Sequence, residues 1–148
     1  MPTSADLAIA LVDDLNAAVF SIPFTAVRAY LPLYDLGEME RLHVTVVVAG
    51  RTVMPISRRQ LQIDHRLDIA VQQKLAVEDP LACDPLLALV ADIADHLSRH
   101  TLPSAAGIVA GTWVKTEHEP LVDPGHLHEL RQFTSIISVT YRTWEGDT

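Results

Sequence analysis

Residues 61–75 read LQIDHRLDIAVQQKL, and this stretch decides the fold. From position 63 to position 71, every second residue is apolar except for one histidine: Ile63, His65, Leu67, Ile69 and Val71. Such alternation is typical of a β-strand with one face in a core and the other in water. At about 3.3 Å per residue, a strand this long extends beyond an ordinary small core. We therefore expect it to bend or to form one half of a projecting hairpin.

The residues just before this strand predict its neighbour. Residues 41–48 (RLHVTVVV) are rich in β-branched side chains, which fit a pleated, half-buried surface. Gly50 and Pro55 predict that the segment 49–56 interrupts this second strand. Residues 57–60 then open the long strand.

Periodicity and stop signals predict the other elements. We expect strands at 24–30, 106–115 and 133–144, a turn at 33–39 and a short helical turn at 126–132. A first helix beginning near Leu7 has Ser4 as its predicted N-cap. The dipeptide Asp84-Pro85 predicts the start of a second helix, whose apolar stripe runs to Leu97.

The order of these elements predicts an α+β fold. Because the strands cluster along the chain, we expect a mostly antiparallel mixed sheet with two main helices packed on one face. The length of 148 residues suits one domain covering residues 1–148.

Composition excludes several classes of protein. The net charge of −8 argues against a nucleic-acid binder, whose affinity comes largely from neutralising phosphates. The single cysteine, Cys83, excludes an intramolecular disulfide and a cysteine-based metal site. No signal peptide and no apolar run approaching about 20 residues are apparent, so we expect a protein made in the cytoplasm that does not enter a membrane.

Motifs for catalysis are missing from the sequence. It contains no G-x-S-x-G, P-loop or G-x-G-x-x-G pattern. His96 and His100 are four residues apart, but Leu97 stands where a zinc protease would have a glutamate, and His126 and His128 diverge on a helical turn. We therefore predict a non-enzymatic protein with no catalytic residues, no cofactor and no metal site. A small hydrolase that uses the histidines is the weaker alternative.

Charged residues near the hairpin form the candidate interface. Arg51, Arg58 and Arg59 concentrate positive charge around one loop, while Asp64 and Asp68 lie on the polar side of the long strand. These charges either keep an exposed strand edge soluble or dock against an acidic face of a neighbouring subunit. We take the five residues as the candidate surface for a subunit or partner.

Several stretches resemble the phage tail terminator or tail-completion family. The similarity runs roughly from Leu7 to Tyr141, and it rests on the order and spacing of six segments: Arg28–Leu36, Leu42–Val47, Ser57–Arg59, Asp68–Leu75, Leu86–Leu97 and Leu127–Ser135.

This resemblance implies a structural virion protein. Members form hexameric rings that cap the head-proximal end of the tail tube, stop its polymerisation and join it to the head; gene transfer agents and tailocins use similar proteins. The partners implied are copies of the chain itself, the tail tube protein and the neck or connector proteins. Genome DNA would pass through the lumen without specific binding, and an acidic lumen would favour this passage. Another neck component, a tube subunit and an adaptor-type binding module remain alternatives.

Overall fold

The structure, a computed structural model, describes residues 3–30, 41–75, 80–100, 102–103, 109–118 and 121–146. The turn predicted at 33–39 lies outside these residues. Three helices are present in this part of the chain: α1 (Ser4–Ala17), α2 (Pro80–Leu97) and α3 (Pro124–Leu130). The strands are β1 (Ala26–Ala29), β2 (His43–Ser57), β3 (Gln60–Lys74), β4 (Leu102–Pro103), β5 (Val109–His118) and β6 (Gln132–Gly146).

The strands form one mixed sheet in the order β1-β2-β3-β6-β5-β4. Among the described strands, β1 and β2 are the parallel pair and the remaining neighbours are antiparallel. The long strand predicted from residue 61 is β3, and it pairs along its length with β2 on one side and β6 on the other. The predicted α+β fold with a mostly antiparallel mixed sheet is confirmed.

The interruption predicted at 49–56 is wrong. β2 continues from His43 to Ser57 because its two strand-breaking residues are accommodated by shifts in register against β3, between Val48 and Gly50 and between Pro55 and Ser57. A bulge absorbs an extra residue without ending a strand. β1 ends at Ala29, opposite Val47, so Pro55 lies on an outer edge of the described sheet, where a missing N–H is tolerated.

The core lies between one face of the sheet and the two main helices. The alternating set predicted from Ile63 to Val71 is buried on β3, and Phe133, Ile137, Val139 and Tyr141 are buried on β6. Leu67, Ile69 and Val71 of β3 and the four β6 residues share one cluster with residues of both helices: Leu7, Leu11 and Leu15 from α1, and Leu86, Leu89, Val90, Ile93 and Leu97 from α2. This shared cluster places both helices on the same face, as predicted.

The start of α1 differs from the prediction by one residue. Thr3, not Ser4, is the N-cap: its hydroxyl accepts from the Asp6 N–H at 3.1 Å, and the Asp6 carboxylate accepts from the Thr3 N–H at 2.9 Å. This reciprocal pair is a capping box. Ser4 is thereby left to make a tertiary contact described below. Threonine and serine are both favoured N-cap residues, so the sequence alone does not distinguish Thr3 from Ser4.

The start of α2 also differs from the prediction. The helix begins at Pro80, so Pro85 lies inside it and Asp84 is not its cap. A proline at position 85 removes the N–H that would bond with the Leu81 carbonyl. Leu81 and Pro85 are both exposed near the beginning of the helix, where water can replace that bond.

No helix among the described residues has the length and apolar character needed to cross a bilayer.

The end of α1 is fixed to the first strand by one side chain. The Asn16 carboxamide accepts from the Ala26 N–H at 2.7 Å and donates to the Ala26 carbonyl at 3.1 Å. It therefore satisfies both backbone groups of the residue at which β1 begins.

We predict that Gly111→Ala destabilises the fold, because a Cβ at this position of β5 would lie 2.9 Å from Leu7 Cδ2 and 3.0 Å from Tyr141 Cβ. Both neighbours are fully buried, so the expected loss is about 1–3 kcal/mol in the free energy of unfolding, measured by urea denaturation. Gly50→Ala is the control, because its Cβ would have only one neighbour, Arg66 Cβ at 3.9 Å. Equal losses in the two variants would contradict the prediction.

Candidate functional site: the projection at the end of the sheet

The far end of the β2–β3 hairpin extends beyond the helices. Every residue from 51 to 61 is exposed, and β6 continues beside β3 as far as Gly146, which pairs with Gln60. Residues 51–62 and 144–146 thus form a three-stranded extension of the sheet, which we call the projection. It confirms the expectation that the long strand belongs to a projecting hairpin.

The projection carries apolar side chains in water. Val53, Met54, Ile56, Leu61 and Trp144 are all exposed. The register puts Met54, Gln62 and Trp144 in one row across the three strands, and it puts Pro55 opposite Leu61, the neighbouring position on the other face. Both faces of the projection therefore present apolar atoms. Exposed apolar surface of this kind marks contact sites more often than ordinary monomer surface.

Positive charge is concentrated on the same projection. Arg51, Arg58 and Arg59 are exposed, with the last two forming the turn that joins β2 to β3. The projection contains these three arginines and one carboxylate, Glu145, although the chain as a whole has a net charge of −8. The structure therefore places the three predicted arginines on one projection, with Arg51 near its base and Arg58 and Arg59 at its tip, in contrast to the acidic balance of the chain.

The two predicted aspartates lie elsewhere. Asp64 accepts from Arg142 Nε at 2.8 Å and Nη2 at 3.2 Å, and Asp68 accepts from Ser138 Oγ at 2.7 Å. The contact with Asp64 raises the pKa of the Arg142 guanidinium. Both aspartates are half-buried and tie β3 to β6. On β3, both aspartates lie between the projection and the end of the strand at Lys74, and both already have partners within the chain.

His65 is the polar residue at the base of the projection. It is buried, its Nδ1 lies 2.6 Å from Ser4 Oγ, and its Nε2 lies 3.0 Å from Thr143 Oγ1. Because hydroxyls both donate and accept, the neutral ring is satisfied in either tautomer. Burial first, and the nearby Arg51 second, lower the pKa of His65, so the neutral form is favoured. The contact fixes the start of α1 to β3 and β6.

The Ser4–His65 pair does not form a hydrolase triad. Such a triad uses a carboxylate to orient the histidine and to stabilise its cation. Here the third group is the neutral Thr143 hydroxyl, and the pKa of His65 is lowered. We therefore interpret the arrangement as a structural link.

The four histidines considered above as possible metal ligands lie in two separate places. His126 has its Nδ1 2.9 Å from Thr134 Oγ1, while the side chain of His128 is outside the described residues. His96 and His100 both contact Asp14, at 2.9 and 3.0 Å. Sequence reasoning noticed the two histidines but missed Asp14, which lies more than 80 positions earlier in the chain. No local spacing could have connected it to them.

Comparison with known proteins shows a shared fold. The chain is similar to a chain in a solved structure described as "Virion of native gene transfer agent (GTA) particle", with a TM-score of 0.51 and 14% sequence identity, over 98% of this chain and 96% of the other. No protein-family model matches, and no curated protein matches.

We predict that His65 makes stability fall in mild acid. Its pKa is lowered in the fold, so below the ordinary value of 6.5 the unfolded chain binds a proton that the folded chain does not. The free energy of unfolding should therefore decrease as pH falls below 6.5, with a contribution from this site of at most about 1.4 kcal/mol per pH unit. Urea denaturation at a series of pH values measures this slope.

His65→Gln should reduce the slope, because glutamine keeps a donor and an acceptor but does not titrate. His118→Gln is the control, since His118 is exposed. An unchanged slope in His65→Gln would refute the assignment.

Proposed function

We propose that this protein is a structural subunit of a phage-like particle, and that it assembles through its projection into a ring. The ring would cap the head-proximal end of a tail tube and join the tube to the head or neck. The tube protein, the neck proteins and further copies of this chain would be its partners. On this proposal the protein is located in the virion and has no catalytic role.

The observation that carries the proposal is the combination of shape, apolar surface and charge in the projection. Val53, Met54 and Trp144 are exposed beside arginines, away from the core that the helices cover. Self-association would remove this apolar surface from water, which stabilises the assembled state. A contact between two different patches of one chain generates a ring when the rotation closes.

The edge of the sheet offers a second means of contact. Past Val47, no described strand pairs with the outer side of β2. Unpaired N–H and C=O groups on an edge can pair with a strand of another chain. Residues 48–57 therefore supply both backbone and side-chain groups to a neighbouring subunit.

Charge favours contact between the projection and the body of the next copy. The projection is basic, while the chain as a whole is acidic. Opposite potentials orient subunits and suppress wrong pairings. A predominantly acidic lumen would also repel DNA phosphates, so that the genome could pass without specific binding.

The fold comparison supports a particle protein of this class. The similar chain comes from the virion of a gene transfer agent, and the match spans nearly all of both chains. Because fold alone does not fix function, the specific role at the end of the tube rests on the projection and on the resemblance of the sequence.

Assembly of the purified protein tests the proposal. We predict closed rings in negative-stain electron micrographs of concentrated protein, or rings bound to one end of added tail tubes. Long filaments of the protein alone would identify a tube subunit instead. Particles that remain monomeric and never bind a tube end would refute the proposal.

Charge reversal tests the projection itself. Arg58→Glu/Arg59→Glu should raise the protein concentration needed for assembly by about tenfold or more, because each contact loses attraction and gains repulsion. Arg41→Glu/Lys74→Glu makes the same change in net charge at exposed residues outside the projection. Light scattering across a concentration series measures both variants. Equal effects would show that net charge, and not the projection, controls assembly.

A further inference from the structure

Three side chains of metal-ligand type converge where α1 and α2 end. His96 Nε2 lies 2.9 Å from Asp14 Oδ2, and His100 Nε2 lies 3.0 Å from Asp14 Oδ1. One ligand atom from each residue lies within 4.8 Å of the other two. The cluster is separate from the projection, and neither the fold comparison nor the proposed function assigns it a role.

The chain turns sharply to complete this cluster. α2 ends at Leu97, and Arg99 adopts the left-handed conformation with φ of 64°. The His100 N–H then bonds with the Leu97 carbonyl at 3.0 Å. His100 therefore lies beyond the helix, and its ring centroid is 5.1 Å from that of His96.

Aromatic side chains hold one of the two rings in place. The Phe20 ring meets His96 edge-on, with centroids 5.4 Å apart at 86°, and stacks against Phe24 at 5.3 Å. An apolar wall of this kind limits rotation of a ligand side chain and controls the access of solvent.

The donor atoms favour a transition metal. Imidazole nitrogen suits zinc, copper, iron and nickel, whereas magnesium and calcium prefer oxygen ligands throughout. At tetrahedral angles, two donors that each bind one zinc ion at about 2.0–2.2 Å are roughly 3.3–3.6 Å apart. The distances of 2.9 and 3.0 Å join the two histidines to different oxygens of Asp14, so the carboxylate would coordinate through both oxygens or rotate to offer one. The three ligand atoms already lie within 4.8 Å of one another, so rotation of the side chains brings them to one ion.

The cluster is open to ions and water. The side chains of Asp14, His96 and His100 are 15%, 30% and 37% exposed. The Tyr141 hydroxyl is buried and has no hydrogen-bond partner among the described residues. Burial, and then the charge of Asp14, raise the pKa of this hydroxyl, so its neutral form is favoured.

We propose that Asp14, His96 and His100 bind one divalent first-row transition metal ion, represented by Zn²⁺, which ties α1 to the turn after α2. Each Nε2–H donates to the Asp14 carboxylate, so binding exchanges two hydrogen bonds for two nitrogen–metal bonds and a carboxylate–metal bond. Each Nε2 proton leaves to solvent, and a neutral ring takes up one proton at Nδ1 in its place, so that the ring remains neutral. Water completes the coordination. The sequence predicted no metal site because Asp14 is remote from both histidines along the chain.

Calorimetric titration with Zn²⁺ and thermal unfolding test the site in the full chain. We expect one ion per chain, and a melting temperature that rises by about 5–10 °C at a hundredfold excess over the dissociation constant. Mg²⁺ should produce no shift. Co²⁺ should give the visible absorption of a nitrogen- and oxygen-ligated ion.

Substitutions distinguish this site from scattered histidines. His96→Gln and His100→Gln should each weaken Zn²⁺ binding at least tenfold, because the amide keeps a hydrogen bond to Asp14 but is a poor ligand. His118→Gln removes an exposed histidine elsewhere and should leave the affinity unchanged. Asp14→Asn serves as a third variant, with its metal-free melting temperature recorded first.

Two results would overturn the proposal: the absence of saturable binding by the unsubstituted protein, or equal losses in His118→Gln and His96→Gln. The binding measurement on the unsubstituted protein needs no variant, so it tests the proposal even if a variant fails to fold. Ring assembly is measured separately in a chelator, and its outcome does not depend on this site.

Discussion

The pairing of β3 with both β2 and β6 is the constraint on which the rest of the structure depends. β3 has a neighbour on each side along nearly all of its 15 residues. One face of this ladder is buried at alternate positions, so a slip of one residue would move that face into water. The two main helices pack on this buried face, and the projection is formed where the same strands continue beyond the helices.

The first helix is fixed at both ends by polar contacts. Ser4 contacts His65 at the base of the projection, while Asn16 and Asp14 contact β1 and the end of α2. Buried hydrogen bonds contribute modest free energy but restrict geometry strongly, because an unpaired partner is costly. Burial of the apolar face of α1 therefore stabilises its packing against the sheet, and these polar side chains fix its position.

Sequence alone predicted the features that repeat along the chain. The alternation from Ile63 to Val71 identified β3, and it also indicated the hairpin whose three arginines form the basic surface. Sequence failed where a local signal competes with tertiary pairing: Gly50 and Pro55 suggested a break, but β3 holds β2 in register through both shifts. For Asp64 and Asp68, the sequence did not reveal the cross-strand partners Arg142 and Ser138, which are assigned only once the register of β6 is known. The place of the two aspartates at a subunit interface stays a prediction. The contact of Asp14 with the two histidines was missed for the same reason.

The positions of the two tryptophans give the chain an internal optical reporter. Trp144 is exposed on the projection, whereas Trp113 is half-buried on β5, with its Nε1 donating to Thr116 Oγ1 at 2.8 Å. Indole fluorescence shifts to shorter wavelengths when water is removed from the ring. Covering the projection would therefore change the emission of one tryptophan while the other serves as a reference. The unlabelled protein thus carries a spectroscopic signal at the surface where contact between subunits is proposed.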